Sequence, residues 1–322
     1  MKIARTAPFV LLFGCIVGET DSYTNGVPTC DITVDATWPL QDAMDFYYRD
    51  TFEFNLSAPD PDARIIFGMP GTQTVEENGL KIVFTPQSPL TPNTDYEVAL
   101  DYCYGSPTIA FSTSDLGEPI DNPASVLGRT YEVDLREARF IDNPGVADFL
   151  TSWLDRTLLF QVTDYNDGEI ALRMAIADLY GAQDVCYRSF DIDGISIADT
   201  DLHVVFDEIL FEFYTGSLEF NDFSLLGTLS PDLEILGGAE FSGVMNISNF
   251  TEALSLGEDE NICDIVSALN SVCEPCPYNE AESCVWISGD RLTAVAVDID
   301  LEDIEERDSH PDCEIEEEDI EN

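Results

Sequence analysis

Basic residues are scarce in this chain. Its 322 residues include 13 Lys and Arg against 64 Asp and Glu, a formal charge of −51. The only lysines are Lys2 and Lys81. This balance excludes a general electrostatic attraction to nucleic acid or to anionic lipid surfaces. Histidine is almost missing as well, with only His203 and His310. That leaves few general bases for a Ser-type or Cys-type nucleophile. No apolar run reaches the roughly 20 residues of a spanning helix. Neither a P-loop nor a GxGxxG fingerprint is present.

The chain nevertheless has the makings of a folded protein. Hydrophobic residues make up 44%, too many for a disordered acidic chain. The length suffices for two domains with separate cores. Three readings of the charge remain open: solubility, cation binding, or life in high salt. At about 1 M salt the Debye length shrinks to about 3 Å, which screens such self-repulsion. Scarce lysine beside abundant Asp resembles a marine or halophilic composition, and that reading is preferred to a dedicated metal function.

The N-terminus has the layout of an export signal. Lys2 and Arg5 precede a short apolar stretch from Ala7 to Phe13, too short to cross a bilayer and remain there. Leu12-Phe13-Gly14-Cys15 resembles the lipobox of bacterial lipoproteins. The resemblance implies a signal peptide over 1–14, cleavage before Cys15, and a lipid on Cys15 that anchors the chain to a membrane. Ile16, rather than Asp, follows the cysteine, which implies outer-membrane placement in a Gram-negative envelope. Cysteine parity agrees: nine cysteines leave one unpaired in an exported chain. With Cys15 lipidated, Cys30, Cys103, Cys186, Cys263, Cys273, Cys276, Cys284 and Cys313 can form four disulfides in an oxidising compartment. Loss of Lys2 and Arg5 would leave 11 basic and 64 acidic residues, or −53. Three sequons, at Asn55, Asn246 and Asn249, are coincidental in a bacterial envelope protein.

Residues 15–29 read as a tether. From 30 to 114 the pattern is short strands. "TFEFNLS" alternates Phe52, Phe54 and Leu56 against Glu53 and Asn55, a half-buried strand with Glu53 toward solvent. "ARIIFG" follows a Pro59-Asp60-Pro61 turn, and "LKIVFTP" follows the hairpin signal Asn78-Gly79. "YEVALDY" and "TIAFSTS" complete the set, which predicts a β-sandwich. The stretch "LKIVFTPQSPLTPNTDYEVAL" (80–100), with "FEFNLSAP" and "IAFSTS", resembles the SbsA-type bacterial Ig-like domain. The resemblance implies an Ig-like sandwich with a spacer or adhesion role. Cys30 starts this unit and Cys103 lies near its end, so these two are expected to pair.

Residues 115–125 are rich in Gly, Pro and Asp and read as a linker. Residues 126–304 form the second domain. Val146, Phe149, Leu150, Trp153 and Leu154 mark one apolar helix face after Asn143-Pro144. Ile262, Ile265, Val266 and Leu269 mark another, capped by Asn261. Between and after them come closely spaced strands without crossover helices, which means antiparallel pairing. The fold class is therefore mostly β: an Ig-like sandwich, then an α+β domain with a large antiparallel meander, open or curled into a barrel, and two helices. The tail from Asp298 carries 14 acidic residues in 25; from 305 it is expected to be solvated, with Cys313 tying part of it down.

Candidate chemistry is thin. Cys263, Cys273, Cys276 and Cys284 have enough thiolates for zinc, but they lack the paired C-x2-C form, so two local disulfides are preferred. "DYNDGE" (164–169) begins like a calcium loop, but its Gly and Glu fall out of register, and a hairpin turn explains it better. Asp191, Asp193, Asp199 and Asp201 form a candidate surface site for calcium, weighed against a solvated loop, which is preferred. No other cofactor is indicated. Ser196 sits in a near match to a nucleophile elbow, but neither His203 nor His310 is placed as its base. The leading functional reading is a non-enzymatic cell-envelope lipoprotein with a structural, adhesive or presenting role, whose partners are the membrane, through its lipid, and other envelope components. A binding protein for an apolar ligand or cations in the C-terminal domain is the alternative. A hydrolase using paired carboxylates is the third. A sheet filled with side chains would favour the first, a deep apolar pocket the second, and convergent carboxylates in a cleft the third.

Overall fold

A computed structural model describes residues 30–143, 145, 156–213, 216–248, 261–269, 271–279, 283–306 and 313. Cys15 and its signal, the tether, the 146–154 helix, Asn249, His310 and all of the tail beyond 306 except Cys313 lie outside these residues.

The first unit is a two-sheet sandwich. One sheet has the order β1 (Val34–Trp38), β3 (Phe52–Leu56), β6 (Lys81–Pro86) and β5 (Gly71–Glu76). The other has the order β2 (Ala43–Phe46), β8 (Thr108–Thr113), β7 (Asp95–Asp101) and β4 (Arg64–Ile66). All pairs are antiparallel except β2 with β8. This is the immunoglobulin arrangement, with the first strand split between the two sheets. Phe46, Phe52, Phe54, Ile82 and Leu100 are fully buried between the sheets. Asn78 takes φ 58° and Gly79 φ 95°, turning β5 into β6 as the Asn-Gly signal requires. Cys30 and Cys103 are joined, with Cα atoms 5.7 Å apart.

The second unit is a closed barrel. Its strands are β9 (Thr130–Val133), β11 (Leu158–Asn166), β12 (Glu169–Ile176), β13 (Phe190–Ala198), β14 (Asp201–Phe213), β15 (Gly216–Leu229), β16 (Ile235–Asn246) and β18 (Ser283–Val297). Consecutive strands of this series pair antiparallel, and β18 closes on β9 through Ala294↔Val133 to Val297↔Thr130. The meander is thus an eight-stranded barrel. Two short strands, β10 (Arg139–Asp142) and β17 (Glu274–Pro275), add to β18 outside the ring. Asp167 and Gly168, both at positive φ, form the two-residue β11–β12 turn inside "DYNDGE".

One expectation is corrected here. Residues 191–201, read as a loop, are mostly strand β13 and its turn into β14. Ile195 and Ile197 are buried in the barrel core, an alternation hidden in the sequence by the surrounding aspartates.

The helix α1 (Ile262–Ala268) has Asn261 as its cap, whose side chain accepts from the Cys263 N–H at 2.9 Å. Ile262 and Val266 pack on the barrel core. Disulfides Cys263–Cys273 and Cys276–Cys284 staple the segment between α1 and β18, and Cys186–Cys313 ties a residue of the tail to the β12–β13 connection. The stretch read as a linker is anchored at both ends: Leu116 is buried in the sandwich core and Val126 in the barrel core.

Candidate junction and cleft between sandwich and barrel

The space left among Tyr131, Leu172, Leu202, Leu225 and Leu236 is about 20 Å³ and wholly apolar, roughly the room of one water-sized probe. A more open depression of about 650 Å³ lies on the sandwich, around Met44, Phe67, Met69 and Tyr96. The chemistry of the molecule is concentrated elsewhere, where the two units meet.

Four of the scarce cations converge there. Arg139 begins β10 and forms a forked pair with Asp290 of β18, its registered partner. Its other nitrogen donates to Glu53 on the sandwich strand β3. Arg291 takes φ 59°, a left-handed conformation that costs a non-glycine residue about 1–2 kcal/mol. From there it donates to Asp50 at 2.9 Å and to Glu53 at 2.6 Å. Its guanidinium also lies 4.1 Å from the Trp38 ring centroid. Lys81, on β6 beside β3, sits 3.0 Å from the other Glu53 oxygen. The Trp38 indole N–H donates to Asp50 at 2.6 Å. On the far side, Arg49 donates to Asp201 at 2.9 Å.

Glu53 is therefore a buried hub, 7% exposed, and not the solvent-facing residue its alternation predicts. Burial pushes its carboxyl pKa up, but the donors Arg139 and Lys81 and the charge of Arg291 outweigh that and hold it below the ordinary value of 4.5. Arg139 is stabilised in its charged form chiefly by Asp290, against the cost of burial.

A pair of glycines makes the docking possible. Gly237 and Gly238 lie where the pairing of β16 shifts register. A Cβ on Gly237 would stand 2.5 Å from Leu116, and one on Gly238, at φ 57°, would stand 2.4 Å from the Tyr47 ring. The bulge thus seats a linker leucine and a sandwich tyrosine against bare backbone. Thr228 gives its hydroxyl proton to Asp201 at 3.0 Å, so the Tyr47 hydroxyl donates to Thr228 at 2.8 Å. Burial pushes the Tyr47 pKa up to about 12, which keeps that donor protonated.

A cleft of about 260 Å³ opens beside these contacts, lined by side chains from both units. Four carboxylates face it: Asp45, Asp50, Glu240 and Asp290. Asp50 and Asp290 are occupied by the donors above. Asp45 and Glu240 have no hydrogen-bond or ion-pair partner among the described residues. Burial first, and then the charges of Asp290 and Asp50, push the Glu240 carboxyl up, with Arg49 opposing.

Of the aspartates weighed as a calcium site against the preferred solvated loop, Asp191 and Asp201 are held by arginines. Asp191 pairs with Arg173 at 2.8 and 2.9 Å, and Asp201 with Arg49 and Thr228. Eight residues of extended chain, about 26 Å, separate Asp191 from Asp199. No group of three or more His, Cys, Asp or Glu that could hold a metal occurs among the described residues. Ser196 and His203 are cross-strand partners on the exposed barrel wall, where His203 lies 3.2 Å from Ser224. Among the described residues no acid is hydrogen-bonded to this His203–Ser224 pair, and Ser196 lies on open wall rather than at an elbow.

The junction residues were missed by sequence reading. The usable signals were Gly237-Gly238 inside a strand pattern and arginines placed singly in a lysine-poor chain.

No protein-family model matches this chain, and no curated protein matches it. Among solved structures it is similar to an L,D-transpeptidase from Mycobacterium smegmatis, at 13% identity and a TM-score of 0.23, over 46% of this chain and 80% of that one. It is also similar to the S-layer protein rSbsC(31-844), at 10% identity and a TM-score of 0.20, over 67% of this chain and 32% of that one. Likenesses this weak carry no argument about fold or function, and the junction has to be read on its own chemistry.

Proposed function

We propose that this chain is a lipid-anchored, non-enzymatic protein of the bacterial cell envelope, in which an SbsA-type Ig-like sandwich holds a stapled barrel at a set angle for structural or presenting contacts with other envelope components. The observation that carries this reading is the junction itself. Two separately cored units meet through a buried carboxylate hub, with Tyr47 and Leu116 seated on a glycine bulge. Such a joint costs scarce cations and a strained arginine, and it resists relative motion of the two units. The side chains packed in the described part of the barrel core, with about 20 Å³ left among Tyr131, Leu172, Leu202, Leu225 and Leu236, support a structural role over transport of an apolar ligand. The lipid anchor rests on Leu12-Phe13-Gly14-Cys15 and on the pairing of the other eight cysteines.

The test is expression of the full chain and of Cys15→Ser in a Gram-negative host. The wild type should mature and partition into the detergent phase, and the variant should stay in the aqueous phase. Equal partitioning of both would remove the anchor and, with it, the envelope-presentation reading.

A further inference from the structure

We propose that the outer wall of the barrel carries a peptide-binding groove that joins two copies of this chain. The C-terminal strap, residues 298–304, fills the groove of its own barrel or that of a second copy, and the Cys186–Cys313 bond latches whichever strap is seated. This goes beyond the presenting role and does not depend on the anchor.

The strap begins where β18 ends, at Val297, and lies against the outside of β9, β11 and β12. Leu159, Ala175 and Ala177 alternate with the core residues Leu158 and Ile176, so they point away from the barrel interior. Leu301 packs on them and is buried, as is Ile304 further along. Four side chains hold the main chain of the strap. The Thr130 hydroxyl donates to the Ile299 carbonyl. The Gln161 amide accepts from the Leu301 N–H and donates to the Asp300 carboxylate, each at 3.1 Å. Gln183 accepts from the Glu302 N–H at 2.6 Å and donates to the carbonyl of the same residue at 2.9 Å. The Ser189 hydroxyl accepts from the Ile304 N–H at 2.9 Å, and the Ser189 N–H donates to the Ile304 carbonyl at 3.0 Å. Arg173 stands 3.3 Å from Asp303.

This wall is built to read an extended segment. Gln161 and Ser189 are more than nine-tenths buried and are aimed at the occupant. A buried polar group without a partner costs about 1–3 kcal/mol, so the groove favours being filled. Main-chain contacts supply affinity, and the pockets for Leu301 and Ile304 with Arg173 supply specificity. The strap belongs to no sheet, so it leaves without breaking a ladder. Cys313 fastens the chain beyond it to Cys186, on the β12–β13 connection that also carries Gln183 and Ser189. A second copy is the occupant that fits, because it carries the same Ile-Asp-Leu-Glu-Asp-Ile segment. Every contact is reproduced when two chains exchange straps. The opposing term is repulsion between two acidic chains, which about 1 M salt screens. Exchange sets Cys313 of one copy beside Cys186 of its partner. Each bond formed there gives two electrons and two protons to a disulfide oxidant, which becomes two thiols.

Two experiments on the full chain test this. In the first, unlabelled and ¹⁵N-labelled chains are mixed, reduced, unfolded and reoxidised together by glutathione disulfide in about 1 M salt, and the disulfide-linked peptides are weighed. Cys186–Cys313 should appear as mixed-isotope pairs whose share rises with protein concentration, while Cys30–Cys103 stays within one isotope. In the second, Cys186→Ser, Cys313→Ser and Leu301→Asp are combined to vacate the groove, and a fluorescein-labelled peptide of residues 298–306 stands in for the second copy's strap. It should bind saturably, one per chain. The same peptide carrying Leu301→Asp keeps the acidic charge and should bind at least about tenfold more weakly. Gln183→Ala in the chain should weaken the native peptide in the same direction. Cys186–Cys313 pairs confined to one isotope at every concentration, mixed pairs equally abundant at Cys30–Cys103, or equal affinity for the two peptides would overturn the proposal and leave the strap a brace within one chain.

Discussion

Glu53 shows how one residue's role depends on what packs over it. Its neighbours Phe52 and Phe54 are core residues of the sandwich, so β3 must turn Glu53 outward. In a free sandwich it would be an ordinary surface carboxylate paired with Lys81. The barrel covers it and supplies Arg139 and Arg291, and the residue becomes the shared acceptor of three cations. Glu53→Gln should destabilise the folded chain by about 2 kcal/mol, because it leaves two partly buried guanidiniums short of charge. The pH dependence follows from the lowered pKa. The stabilisation by Glu53 is fully present above the ordinary carboxylate range and is lost as pH falls through the lower folded value. Thermal melts of both proteins should therefore differ most near neutrality and converge in acid. A wild-type acid limb that Glu53→Gln leaves unchanged would show that the hub contributes nothing.

At the scale of elements, the legible parts were the local ones. Phe52, Phe54 and Leu56 announce β3 because side chains alternate across a strand. Asn78-Gly79 and Asp167-Gly168 announce hairpins because only some residues tolerate positive φ. Strand β5 was missed because every one of its residues is exposed, which leaves no alternation to read. Strand β13 was missed because its aspartates drew the reading toward a loop. The bulge in β16 was also unread, although two adjacent glycines within a strand mark close approach of another group. Gly238→Ala tests that bulge. It forces a Cβ into the Tyr47 ring and an alanine into φ 57°, and it should cost about 1–3 kcal/mol. Combined with Tyr47→Ala, the cost of Gly238→Ala should shrink to its backbone part. Strict additivity in that double-mutant cycle would mean that the ring and the bulge do not touch.

Charge acts on the whole molecule. A folded chain at −51 repels itself, and the ion pairs at the junction offset that repulsion only locally. Screening by about 1 M salt should therefore raise the melting temperature, since the repulsion is long-ranged while the junction pairs are short and partly buried. A melt that is the same in dilute buffer and molar salt would exclude adaptation to high salt.

By itself the amino-acid sequence determined the class of the molecule: mostly β, an Ig-like unit followed by an antiparallel meander, with enough cysteines to staple it. These properties rest on short-range physics, namely alternation, turn chemistry, caps and composition. Only the tertiary structure decided that the meander closes, since Val133 of β9 and Ala294 of β18 meet across the entire barrel sequence. It alone decided which carboxylates are spent on arginines and which stand free. Asp50, Glu53, Asp290, Asp45 and Glu240 are chemically alike in the sequence. They differ by what the docking of two separately folded units places beside each one, and no local pattern encodes that.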